Sequence, residues 1–495
     1  MRYIVKKFNS TFMRISPLLS SFFLLVTLFC QIPRAQAQKI KSAAFSYAPE
    51  AAGDQYNQRI PKKAFAVSPT DFVILSRKAD NSYALIRYGA DLKASWTTPV
   101  SLLGSETVEA FSHNNQTVLL ITHRVQAEQG SQALYGRLFD VNTGKEISQT
   151  KLLDAPSKSR RLGVAISADG SKLVAYHSIT RNEELQSIKG TVYDASLTKI
   201  KDRTYDFAGA GQQVSAQIQI DNHGNQFVSI LTNNSMRLSV RRYNNRDNEI
   251  KVMEVMLGGV FDGEKVYVMD THFQLHQDSS LYAAVLVAEE KKGEYHSLKM
   301  VRFDYAAGNM RFADEFRFTP EFTEKLTKAT GAKRVEDLYL SDILISTEGQ
   351  TLIIAEKKYT EGGENSDYHA KELLLFAYDE YLHPTWNSVI LKNQTAPAAE
   401  GFAGISYNAH LIGNRLQLLT LETIKGKTDL YTRSIHLLTG ASEPPKAVGL
   451  NVANDKQVAF VKDFTTWLDE RTITAVNSPS KASAGLRLSR ITFKN

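Results

Sequence analysis

Two glutamates, Glu356 and Glu422, have the residue type and placement for acid–base chemistry on a glycosidic bond. Both fall near the end of an apolar strand pattern, and glycoside hydrolysis needs one carboxylic acid and one carboxylate flanking the scissile bond. Exposed strand ends commonly carry glutamate, however. We therefore assign no catalytic residue in the hypothesis of function that we favour. Glu356 and Glu422 are weak candidates for the alternative hypothesis, in which the protein is a secreted polysaccharide hydrolase or lyase.

Motifs for other chemistry are missing from the sequence or incomplete. There is no G-x-S-x-G nucleophile elbow, no P-loop and no H-E-x-x-H zinc motif. The nearest histidines, His272 and His276, would share a strand face roughly 13 Å apart, which is too far for a single ion. The stretch 221–225 lacks the alternating acids and the closing glutamate of a calcium loop. We therefore predict no metal site and interpret both stretches as strand and turn residues.

The first 37 residues are typical of a secretory signal peptide. Basic residues and no acids precede an apolar run at 18–30, and an A-x-A tripeptide at 35–37 follows it. We expect cleavage between Ala37 and Gln38. The alternative of an uncleaved anchor is weaker, because the run of about 13 residues is short against the roughly 20 that span a bilayer. A lipoprotein would use Cys30 as its lipidated residue. This alternative is also weaker, because lipidation needs a small residue just before the cysteine and Phe29 is bulky.

Net charge argues against nucleic acid as a partner. The five basic residues at 2, 6, 7, 14 and 34 lie before the cleavage point, so the formal charge of +7 falls to +2 for the mature chain, residues 38–495. That chain has no Lys/Arg block of five or more, which attraction to a polyanion would favour. The only cysteine, Cys30, lies in the signal peptide, so the mature chain can form no disulfide. We expect an exported monomer, periplasmic, cell-surface or secreted, without a membrane span.

One hairpin pattern recurs along the mature chain: an apolar strand, a tight polar turn and a second apolar strand. Clear copies lie at 164–176, 218–231 and 343–355, and turn residues such as Asp169-Gly170 tolerate the positive φ of hairpin turns. With the weaker copies the count is eight, and the second strands are predicted to begin near residues 71, 117, 171, 226, 281, 351, 415 and 471.

A third strand ends in an aromatic residue in most copies and is often followed by Asp. Two of these regions match closely, since 88–96 and 378–386 each have Tyr, then Leu four residues later and Trp eight residues later. Such a match between distant units indicates duplication. We interpret the aromatic residue as packing between neighbouring sheets and the Asp as capping its own turn.

These patterns predict an all-β chain that forms a single β-propeller of four-stranded blades over residues 38–495. We predict eight blades, with seven as the alternative if one weak copy is not a blade. The last residues, 486–495, match a third strand, which leaves the eighth blade without a fourth. Residues 39–47 offer a spare strand, so we expect them to close the ring by completing the last blade and removing exposed edges.

At these hairpins the chain resembles bacterial exported propellers with WD40-like and pyrroloquinoline-quinone-type repeats. The stretch 139–148 (FDVNTGKEIS) is similar to the D-x-x-T-G-K turn of the quinone-type repeat, and Tyr88–Trp96 is similar to its aromatic-to-tryptophan spacing. The resemblance implies a propeller fold and a turn that docks one blade on the next. Thr143-Gly144-Lys145 occurs once and lacks the following tryptophan. We therefore expect no cofactor, and a cofactor-dependent oxidoreductase is only a third class of function.

Long connections predict where a ligand binds, because loops on a rigid scaffold carry many binding residues. Connections after second strands and connections between blades are expected on one face, called here the long-loop face, and they include 124–132, 178–190 and 357–372. The longest, 319–342, predicts a helical insertion between blades with a helix at 321–330. Thr319 can cap this helix, Pro320 suits its first position and Gly331 can end it. The candidate ligand-binding residues on this face are Arg124, His177, Arg181, Lys357, Tyr359 and His369.

Two hypotheses of function follow. The leading one is an exported, non-enzymatic binding or scaffold protein that holds a protein or glycan partner on the long-loop face. The alternative is the polysaccharide hydrolase or lyase, with its carboxylates in the central funnel. Carboxylates that converge beside a His or Arg would favour the enzyme, and a loop face without such a cluster would favour the binder. The apolar side of the predicted helix could either dock on blades 5 and 6 or cover the funnel.

Overall fold

The structure is a computed structural model, which describes residues 38–49, 60–79, 82–182, 184–207, 215–232, 236–261, 263–363, 366–398, 400–453, 459–479 and 485–493. The expected signal peptide, residues 1–37, lies outside these ranges, and export stays a prediction.

Eight antiparallel sheets follow one another along the chain as the blades of a propeller, each with four principal strands. The strand that closes the ring is β1 (Lys39–Ala44). Blades 1 and 2 contain β2 (Ala64–Ala66), β3 (Phe72–Ala79), β4 (Ser82–Tyr88), β5 (Ala94–Ser101), β6 (Thr107–His113), β7 (Thr117–Gln126), β8 (Ser131–Asp140) and β9 (Glu146–Pro156). Blades 3 and 4 contain β10 (Gly163–Ile166), β11 (Lys172–Arg181), β12 (Glu184–Asp194), β13 (Lys199–Asp206), β14 (Ser215–Ile220), β15 (Gln226–Thr232), β16 (Arg237–Tyr243) and β17 (Ile250–Met256).

The second half of the ring carries extra short strands. Blade 5 contains β18 (Gly259–Phe261), β19 (Glu264–Leu275), β20 (Leu281–Glu289), β21 (Tyr295–Asp304), β22 (Asn309–Phe312) and β23 (Phe316–Arg317). Blade 6 contains β24 (Leu338–Ile345), β25 (Thr351–Thr360), β26 (Tyr368–Tyr378), β27 (Pro384–Ile390) and β28 (Gln394–Ala396). Blades 7 and 8 contain β29 (Tyr407–Ile412), β30 (Arg415–Ile424), β31 (Lys427–His436), β32 (Lys446–Ala447), β33 (Phe460–Trp467), β34 (Thr472–Asn477) and β35 (Arg487–Thr492).

The hairpin count is confirmed, because the second strand of every blade begins within one residue of its predicted position. These strands are apolar on both faces, since both faces of a blade are covered by its neighbours. Leu281–Glu289, for example, is buried over all but its last residue. The first strands lie nearest the axis, where β2 contacts β33, β10 contacts β6 and β14, and β19 contacts β24.

An apolar cluster fills each junction between successive blades around the ring. The third-strand aromatics Phe139, Tyr193 and Phe303 are buried in three of these clusters. Their interpretation as residues that pack between sheets is therefore confirmed. Burial of apolar surface at these junctions supplies the main force that holds neighbouring blades together.

The ring closes as the sequence predicts. Strand β1 pairs antiparallel with β35, from Lys39 opposite Thr492 to Ala44 opposite Arg487, and forms the outer strand of blade 8. Just after β1 the chain turns into the junction with blade 1, where the Phe45 ring lies 5.1 Å from the Phe464 ring, centroid to centroid. The two ends of the chain therefore share one sheet.

Two tryptophans tie a blade to the next one. Trp96 on β5 donates from Nε1 to a main-chain carbonyl in the turn after β8 (3.2 Å), and a Cβ at Gly144 in that turn would lie 2.5 Å from the Trp96 ring. Trp386 on β27 repeats the contact with the turn after β31, where its Nε1 donates across 2.5 Å and Gly440 faces the ring. Both glycines have positive φ, +70° and +67°. The matching segments 88–96 and 378–386 are thus a repeated blade-to-blade contact.

Helix α1 (Pro320–Thr330) lies in the connection between blades 5 and 6. The Thr319 hydroxyl accepts a hydrogen bond from Phe322 N (3.3 Å), and Gly331, at φ +71°, ends the helix, as their residue types indicate. Leu326 is buried in the cluster between blades 5 and 6, and Phe322 packs against it. The apolar side of α1 therefore docks on these two blades.

The long connections contain less loop than the sequence predicts. The stretch 178–190 is almost entirely strand, because β11 and β12 pair as far as Arg181 opposite Glu184. In blade 6, only 361–367 separates β25 from β26. The hairpins continue past their apolar stretches with mostly polar side chains, several of them buried, and the ladder stays intact. Alternating hydrophobicity cannot detect strands of this kind.

Gly144→Ala tests the docking of Trp96, with Gly308→Ala as its matched control. Both glycines have φ +70° in turns that follow a third strand, so alanine strains both backbones alike, but nothing lies within 4 Å of a Cβ at Gly308. Because overpacking typically costs about 1–3 kcal/mol, Gly144→Ala should lower the free energy of unfolding by that much more than the control. Denaturant titration measures both. Equal losses would show that Trp96 does not need this glycine.

Deleting residues 38–48 should sharply lower the melting temperature, because it removes β1 and leaves the edge of β35 unpaired. A synthetic peptide of residues 39–47 added to the deletion variant should raise that temperature in a concentration-dependent way. A scrambled peptide is the control. An unchanged melting temperature on deletion would mean that the closing strand adds little to stability.

Candidate functional site

A pocket of about 490 Å³ opens on the long-loop face between α1, blade 6 and blade 7. The last turn of α1 and residues 391–393, which connect β27 to β28, form part of its wall. Lys371 and Glu372 at the start of β26, and Glu422 and Thr423 at the end of β30, form the rest. These segments meet because second-to-third-strand connections and blade-to-blade connections lie on the same face. The volume is in the range of small-ligand sites.

Glu422, the second predicted catalytic candidate, lines this pocket but is held by an arginine. Its Oε2 accepts from Arg433 Nη2 (2.8 Å), Arg433 Nη1 bonds to Oε1, and the Thr420 hydroxyl also donates to Oε1. Such a two-point pair fixes the plane of the carboxylate. The charge of Glu422 is therefore balanced within the protein.

Glu356, the other predicted catalytic candidate, is fully buried behind the pocket. Its Oε1 accepts from Lys392 Nζ (2.7 Å) and its Oε2 from Ser406 Oγ (2.5 Å). Burial would raise the pKa of Glu356, but the charges of Lys392 and Lys358 together with these hydrogen bonds outweigh burial and hold the pKa below its usual value. Gln394 completes the network, donating from Nε2 to two main-chain carbonyls on the side of blade 7 (2.8 and 3.1 Å). The Glu356 carboxylate therefore joins blade 6 to blade 7 and does not face solvent.

Three of the six predicted ligand-binding residues meet beside the pocket on blade 6. The rings of Tyr359 and His369 stack with centroids 4.8 Å apart. Lys357 Nζ lies 5.7 Å from the centroid of the Tyr359 ring, and Nζ of the pocket residue Lys371 lies 5.5 Å from it. An aromatic pair with two ammonium groups thus borders the pocket.

The other three predicted residues lie across the ring. Arg124, on blade 2, pairs with the buried Glu106 (Nη2 to Oε2, 3.0 Å) and acts within its own blade. His177 is half-buried on blade 3, where burial and the charge of Lys189 lower its pKa. Arg181, at the end of β11, is exposed. The structure therefore brings together Lys357, Tyr359 and His369 but not the whole predicted set.

A second group of titratable side chains, missed by sequence reasoning, lies near the axis on blades 5 to 7. We call it the axial cluster: Asp270 and His272 on β19, Asp342 on β24, Lys358 on β25 and Tyr407 on β29. The Tyr407 hydroxyl donates to Asp342 Oδ2 (2.5 Å), and a main-chain N–H of β24 donates to Asp270 Oδ2 (2.8 Å). The cluster therefore links three blades across their innermost strands.

Burial perturbs every pKa resolved in the axial cluster. It raises the pKa of Asp270 against the opposing main-chain hydrogen bonds, and it lowers the pKa of Lys358 against the charge of Glu356. It also lowers the pKa of His272, although Asp342 and Asp270 oppose this, and it raises that of Tyr407. Groups with perturbed pKa values that face one another are typical of acid–base sites, although structural ion-pair networks produce them too.

A sequence signal for the axial cluster does exist. Asp270 and Asp342 each interrupt an otherwise apolar first strand (VYVMDTHF and LYLSDILI). Each follows a register shift in the ladder, between Val268 and Asp270 and between Leu340 and Asp342. A charged residue in the middle of an apolar inner strand is the pattern to look for, because β-bulges commonly re-aim a side chain near functional sites.

Within the described ranges, no three His, Cys, Asp or Glu side chains are grouped so that they could hold a metal ion. None of the helices in the described part of the chain is long and apolar enough to cross a bilayer.

Comparison with protein-family profiles gave no match, and neither did comparison with curated protein sequences. Among solved structures, the chain is similar to the WD40 domain of SCAP from fission yeast (9% identity, 92% of this chain and 98% of that chain, TM-score 0.40). It is also similar to the polysaccharide lyase Uly1 (10% identity, 77% and 89% covered, TM-score 0.40) and to the β-propeller domain of the Trilobed protease from Pyrococcus furiosus (11% identity, 81% and 96% covered, TM-score 0.36). The eight four-stranded antiparallel sheets, in a ring closed by β1, make this chain a β-propeller.

Glu356→Gln should lower the free energy of unfolding by about 3–5 kcal/mol, because it leaves the Lys392 ammonium buried without its counter-charge. The double variant Glu356→Gln/Lys392→Met should recover much of this loss. Because the folded pKa of Glu356 lies below the unfolded one, its contribution is present above the unfolded value and is lost as pH falls through the folded value. Denaturation at several acidic pH values should therefore show a smaller acid-induced loss in Glu356→Gln than in the native chain.

Proposed function

We propose that this chain is an exported, non-enzymatic binding protein that holds a glycan in the pocket between α1, blade 6 and blade 7. The observation that carries the proposal is the pocket itself, a polar cavity of about 490 Å³ on the long-loop face. Its wall presents hydroxyl, amide, ammonium and carboxylate groups, which match the hydrogen-bonding groups of a sugar. The stacked Tyr359 and His369 border it and supply an aromatic surface.

The arrangement of charges favours binding over catalysis in this pocket. Glu422 is held by Arg433, and Lys392 is held by Glu356. Groups fixed in this way give the wall a constant shape, which lowers the entropic cost of binding a ligand. Glycoside hydrolysis would instead need two carboxyl groups free to exchange a proton with the ligand, and Glu372 is the one such group that the described residues place in this wall.

The second candidate, a polysaccharide hydrolase or lyase, is favoured by the axial cluster. Two carboxylates, Asp270 and Asp342, lie there with His272, Lys358 and Tyr407 in one another's electrostatic field. These residue types can act as general acid and base on a sugar substrate. In this case a polysaccharide would have to enter the funnel from the long-loop face, and the pocket would serve as an accessory site.

Binding to an array of glycans of different charge tests the proposal, with Thr423→Trp as the blocking variant. Thr423 is exposed and lines the pocket, so an indole there should fill the cavity and weaken glycan binding at least tenfold. Thr180→Trp is the matched control, because Thr180 is an exposed strand residue on blade 3, across the ring.

Three results would contradict the proposal. The first is that no glycan on the array binds, and the second is that both tryptophan variants bind as the native chain does. The third is release of new reducing ends or unsaturated products from a bound polysaccharide, which would establish the second candidate instead.

A further inference from the structure

Glu372 is the one carboxylate of the pocket wall whose charge the described part of the protein leaves unbalanced. Its side chain lines the cavity, and the residue is only 7% exposed. Within the described ranges it has no hydrogen-bond or ion-pair partner. The other buried charges of the wall are satisfied, Glu422 by Arg433 and Lys392 by Glu356.

The Glu372 carboxylate is largely withdrawn from water, but its oxygens stay accessible through the cavity. Taking a charged group out of water is unfavourable unless an opposite charge or several hydrogen bonds replace its hydration. Neighbouring groups do not do this for Glu372. The ammonium of the preceding residue, Lys371, lies over the Tyr359 ring and forms no ion pair with Glu372. Lys392 Nζ donates instead to Glu356 Oε1 (2.7 Å) and Gln394 Oε1 (3.0 Å).

We infer that the ligand of this pocket carries an ammonium group that pairs with Glu372, which makes it an amino sugar or a glycan with a free amine. The inference rests on the proposed glycan-binding function and names its substrate class. An ammonium on the ligand would pair with the one carboxylate of the wall that has no partner within the described ranges. The hydroxyl and amide groups of Thr330, Asn393 and Thr423 line the same cavity and suit the neighbouring sugar hydroxyls.

Lys371 limits the number of amines. Its ammonium also lines the pocket and has no ion-pair partner within the described ranges. A second cationic group on the ligand would meet this charge, and like charges at close range repel. A single amine flanked by neutral sugar hydroxyls therefore fits better than a polycation.

Two disaccharides that differ in one charge test this inference: galactosyl-glucosamine and its N-acetylated form. Calorimetry on the purified chain should show the amine form binding at least tenfold more tightly, because acetylation removes the positive charge. Glu372→Gln should abolish this preference. Glu324→Gln is the control, because Glu324 is an exposed carboxylate on α1 that does not line the pocket, and it should keep the preference.

A second readout does not depend on the ligand. Glu372→Gln should leave the melting temperature unchanged or raise it, because it removes an unbalanced buried charge. A clear fall would show that the Glu372 carboxylate is already satisfied in the free protein, and it would overturn the inference.

The binding results separate this inference from the function on which it rests. One outcome is that neutral or acidic glycans bind, that Thr423→Trp blocks this binding, and that the amine form binds no more tightly than the N-acetylated form. This outcome would support glycan binding and overturn the role of Glu372. The same holds if Glu372→Gln keeps the preference for the amine. If no glycan binds, both are overturned.

Discussion

The β-ladders of this protein stop at the edge of each blade, so the ring depends on contacts between side chains of neighbouring sheets. Eight separate sheets would splay apart without the apolar clusters at their junctions. One junction has additional support, because β1 from the start of the chain completes the blade formed by its end. Every other feature, including the pocket and the axial cluster, is positioned by sheets that this closure holds in a ring.

Specific contacts between blades supplement the apolar clusters. Trp96 and Trp386 each fit a glycine turn of the next blade, which is possible only because Gly144 and Gly440 have no side chain. Between blades 6 and 7 the corresponding contact is polar, because Glu356 and Lys392 form a buried ion pair. Removing one partner from such a pair is costly, because the other is then left charged in a medium of low polarity.

Additions to the basic blade are concentrated on one side of the ring. Strand β23, α1 and β28 all lie in blades 5 and 6 or between them, and the pocket lies where α1 meets blades 6 and 7. Blades 1 to 4 have no strand beyond the basic four within the described ranges. The candidate binding site is therefore asymmetric although the fold repeats, as expected when loops and insertions carry function on a regular scaffold.

The fold could be predicted from sequence in detail, because each blade repeats a hairpin whose turn residues and apolar strands are visible locally. The second strands, the closing strand and α1 lie where the sequence places them. The site was harder to predict. Glu372 lies in a stretch interpreted as loop, because polar side chains replace the apolar alternation in this part of the hairpin. His272 was interpreted as an ordinary strand residue, and nothing local to it indicates that Asp342, on the next blade, lies nearby.

The partnership of Glu356 with Lys392 also could not be predicted. It depends on where the connection after β27 crosses the end of β25, and this is a tertiary property with no periodic signature. Sequence reasoning identified Glu422 as a residue near the funnel, but Arg433, which holds it, follows on the next strand of the same blade. A candidate carboxylate can be recognised by type and position, whereas its counter-charge depends on the packing around it.

The closing strand has a consequence for the order of folding. Ser42 and Ser489, whose hydroxyls lie 2.9 Å apart, are separated by 447 positions along the chain. The equilibrium cost of joining such distant segments grows only with the logarithm of the loop length, by about 0.6 kcal/mol for each doubling. The kinetic effect is larger, because contacts of high sequence separation form late and slowly. Until the final strand has been synthesised, blade 8 has an open edge that can pair with another chain. During assembly of this ring, intramolecular closure by β1 therefore competes kinetically with aggregation.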